Sequence, residues 1–213
     1  MLWLLLYFWC VKPNRVTKQR EIKIRPFTER LIAHRGLFDR KLSIPENSML
    51  AFERAVSYGF GIELDVRLTR DHELVVFHDA TLKRMCGVNK AVSGLTYEEL
   101  CRYPLDHTGQ RIPRLEDVLN LVDAKVPLII EIKAEKEGSL AAQILCNKLK
   151  DCRYRGAYCV ESFYPFALQW LRIHEPDVIR GQLVTDFKAD GKKRNILAAI
   201  FLNGLLLNVF SRP

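Results

Sequence analysis

From Leu31 onward, short apolar runs alternate with segments whose apolar residues recur at helical spacing. Apolar runs of this length, separated by helices, are typical of strands in a parallel sheet covered by helices on its faces. The alternation therefore predicts an α/β fold with a parallel sheet. The predicted strands are 31–33, 62–68, 74–77, 128–132, 157–160 and 179–184, and helices are expected after Asn47 and at 115–122, 140–149, 166–173 and 196–207.

The length of 213 residues suits one substantial domain. Eight strand–helix units would close a barrel of about 250 residues, and six strands are predicted here. We therefore expect residues 31–213 to form a (β/α)8 TIM-barrel domain, truncated after about six strands. Residues 81–108 break the alternation and are mixed and polar, which indicates an insertion over one face. Within it, Thr96 and Glu99 fit a capping box, and Asn47 is the expected N-cap of the first barrel helix.

Residues 1–30 precede this domain and combine an apolar segment with a basic linker. The first eleven residues are too few for a membrane span of about 20 residues, and they lack the features of a signal peptide. A clipped membrane anchor, an interfacial helix and a packed N-terminal helix all remain open. The basic residues that follow favour association with a membrane surface, with the domain on the cytoplasmic side. They are Lys12, Arg15, Lys18, Arg20, Lys23 and Arg25.

The net charge of +8 admits a nucleic acid, an anionic membrane or an anionic substrate as partner. Because the basic residues form no long stripe interleaved with aromatic residues, we expect no nucleic acid. The six cysteines include no CxxC pair, which argues against a zinc site. We expect them to be reduced thiols in a cytoplasmic protein.

Two carboxylates lie in the predicted strand 62–68. Side chains alternate between the faces of a strand, so Glu63 and Asp65 share one face. Two neighbouring buried carboxylates repel each other and lose hydration, and a divalent cation between them would offset both costs. A solvent-exposed face or pairing with arginines would serve equally well, and the strand alone leaves these alternatives open.

A second charged pair, Glu131 and Lys133, ends the strand 128–132. Glu131 could provide a third oxygen ligand, and Lys133 could meet an anionic oxygen. Carboxylate-only ligation favours Mg2+ or Ca2+ over zinc. The alternative is a simple ion pair at the end of a strand.

Two histidines, His34 and His78, end the first and third predicted strands. Histidine exchanges protons near neutral pH, and cleavage of a phosphodiester requires one proton to be removed and another delivered. Arg35 carries a planar guanidinium that suits a phosphate. Each histidine alone is more often structural. Their position at strand ends, together with the charged pairs, is where barrel enzymes place their active sites.

These motifs resemble, in order and spacing, those of the glycerophosphodiester phosphodiesterase family. The motifs are His34-Arg35-Gly36, Pro45-Glu46-Asn47-Ser48, Glu63-Leu64-Asp65-Val66, Thr69-Arg70-Asp71, His78-Asp79, Glu131-Ile132-Lys133 and Ser162-Phe163. The resemblance implies an acid/base pair, His34 and His78; metal ligands, Glu63, Asp65 and Glu131; phosphate-binding residues, Arg35 and Lys133; and residues that shape the site, Glu46 and Asn47. It assigns no role to Glu161, which precedes the Ser-Phe pair.

The resemblance also implies a reaction. A bound Mg2+ or Ca2+ would assist hydrolysis of a small glycerophosphodiester to an alcohol and sn-glycerol 3-phosphate, and the insertion would cover the glycerol end. Three alternatives remain: a truncated and inactive homologue, a membrane-associated module that binds phosphodiesters without turnover, and a lysophospholipase D-like activity on lipids that keep one acyl chain.

Overall fold

The computed structural model describes residues 17–133 and 137–183. Its strands are β1 (Ile32–His34), β2 (Gly61–Leu68), β3 (Leu74–Val76), β4 (Leu128–Ile132), β5 (Tyr158–Ser162) and β6 (Ile179–Gln182). Its helices are α1 (Lys18–Thr28), α2 (Met49–Ser57), α3 (Lys83–Cys86), α4 (Tyr97–Leu100), α5 (Leu115–Val122), α6 (Gly138–Asp151) and α7 (Pro165–His174).

Five strands form a parallel sheet in the order β1-β2-β4-β5-β6. Helices α2, α5, α6 and α7 alternate with these strands along the chain, so the predicted α/β fold is confirmed. Over the described residues the sheet is open, with β1 and β6 as its outer strands. The predicted helix 196–207 and the end of the last predicted strand lie outside the described residues.

The third predicted strand does not belong to the parallel sheet. β3 runs antiparallel to the second half of β2, with Val66 opposite Val76 and Leu68 opposite Leu74. Parallel strands need a crossover of a dozen or more residues, and only a short turn separates β2 from β3. The turn is closed by the amide of Thr69, which donates to the Glu73 carbonyl at 3.0 Å. All six predicted strands are therefore present, but β3 joins the sheet as an antiparallel strand.

The expected cap of the first barrel helix was also wrong. The hydroxyl of Ser48 accepts from the Ala51 amide at 3.2 Å and caps α2. Asn47 instead has a left-handed backbone (φ 53°), and its side-chain amide donates to Asp65 Oδ2 at 2.8 Å. Asn47 therefore connects the loop after β1 to β2. The capping box of Thr96 and Glu99, by contrast, is present in α4 as predicted.

Within residues 17–133 and 137–183, two hydrophobic clusters make up the core. The larger one lies between the sheet and its helices, where Ile62, Leu64 and Val66 of β2 are fully buried. The smaller one lies around residues 75–112, a stretch that includes the predicted polar insertion 81–108. It is centred on Phe77, Leu82, Leu100, Leu105 and Ile112. The segment thus has a core of its own beside the main one.

Helix α1 occupies part of the predicted basic linker. Thr17 caps it by accepting from the Arg20 amide at 3.2 Å. It contacts the segment before β6 through Lys23, whose ammonium lies 2.8 Å from Asp177 Oδ1. Within the described ranges, none of the helices has the length and apolar character that crossing a membrane requires. The predicted apolar segment 1–11 lies outside those ranges.

Gly36 fixes the turn that follows β1. It has φ 79°, and a Cβ placed on it would lie 2.9 Å from Ala51 Cβ and 2.9 Å from a ring carbon of Phe52. Gly59 has a similar φ of 71°, but a Cβ there would meet nothing within 4 Å. Both glycines therefore have a left-handed backbone, but only at Gly36 would an added Cβ meet neighbouring atoms.

Gly36→Ala should destabilise the protein more than Gly59→Ala. Both variants incur about 1–2 kcal/mol for alanine in the left-handed region. Gly36→Ala adds overpacking of about 1–3 kcal/mol against Ala51 and Phe52. Urea denaturation of the two variants measures the difference, and equal losses would mean that the contacts of Gly36 are unimportant.

Candidate active site

Parallel register places a layer of carboxylates across the sheet. Asp65 of β2 lies beside Glu131 of β4, which lies beside Glu161 of β5. Residues paired across neighbouring strands point to the same face, so the three side chains converge. Glu63, two residues before Asp65, shares that face and pairs with His34 of β1. The opposite face of β2 belongs to the hydrophobic core.

Three of these carboxylates are grouped closely enough to share one cation. Glu63, Glu131 and Glu161 each offer an oxygen, and the three oxygens lie within 4.8 Å of one another. Glu161 was not among the predicted ligands. Its signal in the sequence was a charged residue directly after the apolar predicted strand 157–160. The structure places it beside Glu131. Gly181 of β6 lies beside it, and a Cβ there would come within 3.3 Å of the Glu161 Cβ.

The electrostatics of the layer are unfavourable for three negative charges. Burial, with repulsion from Asp65, raises the pKa of Glu63 to about 8. Burial and the charge of Glu131 raise the pKa of Glu161 to about 7. Burial also raises the pKa of Glu131, although Lys133 opposes the rise. The layer therefore binds either protons or another source of positive charge.

Asp65, a predicted ligand, is held apart from the group of three by its partners. Its Oδ2 accepts from Asn47 and lies 3.4 Å from Arg35 Nε, and its Oδ1 lies 3.3 Å from Lys133 Nζ. Lys133 Nζ also lies 2.7 Å from Glu131 Oε1. Among the described residues, Asp65 Oδ1 and Glu131 Oε1 are buried and accept no hydrogen bond of good geometry. The Lys133 ammonium is therefore the cationic partner of both oxygens.

The donor set fits Mg2+ or Ca2+. It consists of carboxylate oxygens alone, which hard divalent cations prefer. Within the described part of the chain, Asp65 and Glu131 contact the cationic side chains of Arg35 and Lys133, and Glu63 and Glu161 add two further carboxylates to the same layer. The excess negative charge is what a divalent cation would offset. Glu63, Glu131 and Glu161 would hold it, with Asp65 beside them.

His34 lies at the edge of this layer. Its Nε2 is 3.9 Å from Glu63 Oε2, and 68% of its side chain is exposed. Burial of the remainder and the charge of Arg35 lower the pKa of His34. The ring is therefore neutral at neutral pH and accessible to a molecule arriving from solvent.

His78 reaches the site from the β3 hairpin. It follows β3, and its carbonyl accepts from Arg67 Nε at 2.8 Å. Arg67 also donates through Nη1 to the Lys133 carbonyl at 2.8 Å, so one side chain ties the end of the hairpin to the end of β4. The Nδ1 of His78 lies 2.7 Å from Asp79 Oδ1. Antiparallel β3 thus brings His78 back towards the carboxylates, by a different route from the one predicted.

The loop after β1 contributes Arg35 and Glu46. The Arg35 amide donates to Glu63 Oε2 at 2.9 Å, and its Nη1 donates to Glu46 Oε1 at 2.8 Å. Burial alone would raise the pKa of Glu46, but hydrogen bonds from Arg84 and Arg35 lower it. Every predicted site residue thus lies in one connected region. The sequence analysis named Asp79 and Glu161 without giving them a role, and it did not single out Arg67 or Arg84, which also contact this region.

Residues 34–210 match the glycerophosphoryl diester phosphodiesterase family. This chain belongs to that family. It is 43% identical over 165 residues to a glycerophosphodiester phosphodiesterase of Caldanaerobacter subterraneus subsp. tengcongensis, covering 72% of this chain and 65% of the relative. It is 40% identical over 133 residues to lysophospholipase D GDPD1 of Rattus norvegicus, covering 61% and 40%.

The fold comparison agrees. A crystal structure of a glycerophosphodiester phosphodiesterase from Parabacteroides distasonis has a TM-score of 0.63 and 29% identity, over 71% of this chain and 63% of that one. The structural neighbours are TIM-barrel enzymes, so the predicted fold type is confirmed. The chain spans less than two thirds of the length of each of these three relatives.

Without divalent cations, stability should fall as the pH rises from about 5 to 8. The pKa of Glu63 is about 8 in the folded protein and 4.5 as its ordinary value, so the folded state binds the proton more tightly. Stability from this group is therefore present below pH 4.5 and lost as pH rises through 8. Thermal unfolding in a chelator measures the slope.

Glu63→Gln should flatten that slope, since glutamine carries no charge and its carbonyl can still accept from the Arg35 amide. Added Ca2+ or Mg2+ should flatten it in the wild type. Glu98→Gln, at a side chain that is 90% exposed, is the matched control and should leave the slope unchanged. Parallel curves for wild type and Glu63→Gln would contradict the prediction.

Proposed function

We propose that this chain hydrolyses glycerophosphodiesters to an alcohol and sn-glycerol 3-phosphate, using two histidines and a divalent cation. The observation that carries the proposal is the arrangement of His34 and His78 around one layer of carboxylates. Binding alone would need no pair of proton-transfer groups, so the arrangement favours turnover over a binding module. Family membership supports the same reaction.

The cation site would be formed by Glu63, Glu131 and Glu161, with Asp65 held beside them by Asn47. Bound there, Mg2+ or Ca2+ would act as a Lewis acid that neutralises charge on the phosphate oxygens. The carboxylates hold this position through the register of β2, β4 and β5, which leaves little freedom for their backbones.

The histidines would move the two protons that hydrolysis requires. His34, neutral because its pKa is lowered, suits removal of a proton from the attacking oxygen. His78 would deliver a proton to the leaving alcohol oxygen as the bond from phosphorus to that oxygen breaks. Attack by water would give sn-glycerol 3-phosphate directly, whereas attack by an adjacent substrate hydroxyl would give a cyclic phosphodiester that water must then open with the same histidines.

Arg35 and Lys133 are the proposed phosphate contacts. Both already contact carboxylates, Arg35 through Glu46 and Asp65 and Lys133 through Glu131 and Asp65. A bound phosphate would therefore share the Arg35 and Lys133 side chains with the carboxylates. Planar donors on Arg35 and the point charge of Lys133 suit different phosphate oxygens. Glu46 and Asn47 would shape this end of the site by holding Arg35 and Asp65.

A lysophospholipase D activity is the second candidate. It is favoured by the similarity to a protein of that name, which is 40% identical over 133 residues. We also propose that the chain acts on the cytoplasmic side, at a membrane surface contacted through residues 1–25. The exposed basic residues Lys18 and Arg25 of α1 support that surface, although Lys23 is paired with Asp177.

The first test is release of glycerol 3-phosphate from glycerophosphocholine with added Mg2+ or Ca2+, against a chelator control. A lysophosphatidylcholine assay on the same sample separates the second candidate. Cation-dependent release from the first substrate supports the proposal. No release of either product from protein that is folded by circular dichroism would reject both activities on these substrates and favour the binding module or the inactive homologue.

His34→Ala should reduce turnover by about 10²–10⁴-fold, the usual contribution of a general acid or base. Cation affinity, measured by calorimetry, should stay close to wild type because His34 is not among the proposed ligands. His174→Ala is the matched control, since His174 lies on α7 and bonds to the Trp170 carbonyl. Wild-type turnover in His34→Ala would show that His34 is not the base.

Glu161→Gln should weaken binding of Ca2+ by at least about tenfold, because it removes a charged ligand from the group of three. Calorimetric titration of the full chain measures this directly, without any substrate. Glu98→Gln again serves as the control for loss of one negative charge. Unchanged affinity in Glu161→Gln would remove Glu161 from the proposed ligands.

A further inference from the structure

Arg84 lies at the border between the carboxylate layer and the smaller hydrophobic cluster. It belongs to the four-residue helix α3, and the next residue, Met85, is buried in that cluster. Its guanidinium contacts two carboxylates. Its Nε donates to Asp79 Oδ2 at 2.6 Å, and its Nη2 donates to Glu46 Oε1 at 2.6 Å.

These contacts extend to a proposed catalytic histidine. Asp79 uses its other oxygen, Oδ1, for the 2.7 Å contact with His78 Nδ1. Since Arg84 holds Asp79 through Oδ2, the carboxylate is kept in one orientation. An ionised carboxylate can only accept hydrogen bonds, so Nδ1 of His78 carries the hydrogen and donates it. The Nε2 atom is then the one left for proton exchange with a substrate.

The same guanidinium reaches the opposite side of the site. Glu46 Oε1 accepts from both Arg84 and Arg35, and Arg35 in turn lies 3.4 Å from Asp65. A chain of charged contacts therefore runs from His78 to the carboxylate layer. Asp79 and Glu46 lie 33 residues apart in sequence, and Arg84 joins them.

We infer that Arg84 is a positioning residue that fixes the orientation of His78 by holding Asp79 and Glu46 at once. The inference rests on the proposed function for the role of His78. A planar fork with separate donors can hold two carboxylates, whereas a lysine ammonium at the same place would lack that geometry. The smaller cluster, by burying Met85, holds α3 where this fork can reach both acids.

The kinetic test compares Arg84→Gln, Arg84→Lys and Arg84→Ala with Lys83→Gln, an exposed neighbour on the same helix. Loss of orientation should lower kcat by about 10- to 100-fold in the three Arg84 variants, less than removal of the histidine itself. KM and Ca2+ affinity should change little. Lys83→Gln should match wild type.

Chemical rescue separates positioning from general damage. Arg84 is 41% exposed at its side chain, so guanidinium ions can enter the space left in Arg84→Ala. Non-denaturing guanidinium should restore part of kcat in Arg84→Ala and none in His78→Ala. Wild-type kcat in Arg84→Gln, or a loss in Arg84→Ala that guanidinium leaves unchanged in folded protein, would overturn the inference.

A spectroscopic test does not depend on turnover. In 15N-histidine-labelled protein, His78 is assigned by comparison with His78→Asn. Its Nδ1 hydrogen should resonate downfield in wild type and Lys83→Gln, and should move or broaden in Arg84→Gln. An unchanged signal would reject the role of Arg84. If wild type shows no turnover but the signal behaves as expected, the proposed function fails while the positioning by Arg84 stands.

Discussion

Repulsion between buried carboxylates is the constraint around which this structure is arranged. Glu63, Asp65, Glu131 and Glu161 share one face of a parallel sheet because the register of β2, β4 and β5 aligns them. Each loses hydration there, and each raises the energy of the others. Arg35 and Asn47 from the loop after β1 contact Asp65, and so does Lys133 at the end of β4.

These partners are unevenly distributed among the four carboxylates, so Asp65 differs from the other three. Asp65 receives contacts from three side chains, whereas the Glu63, Glu131 and Glu161 oxygens cluster within 4.8 Å with Lys133 close to one of them. A site that neutralised all four acids internally would have no need of a metal ion. This one leaves part of the charge uncompensated, which is how proteins keep an oxygen site available to a hard cation.

Much of this could be predicted from the sequence, since strand alternation puts Glu63 and Asp65 on one face wherever the strand lies. The strand of Glu131 and the helix 115–122 were likewise set by local pattern and appear with the predicted limits. The sequence did not predict the features that depend on contacts between distant parts of the chain. The pairing of β3 depends on a turn, the grouping of Glu161 on register between distant strands, and the contacts of Arg84 on a small core that its own polar sequence did not indicate.

The antiparallel course of β3 has a consequence for the two histidines. His34 extends from a strand of the sheet, whereas His78 is carried by a hairpin whose far side packs into a separate small core. Substitutions in that core can shift His78 while the backbone register of β2, β4 and β5 stays the same. Under the proposed function, such substitutions would adjust the histidine that delivers the second proton separately from the strands that carry the proposed cation ligands.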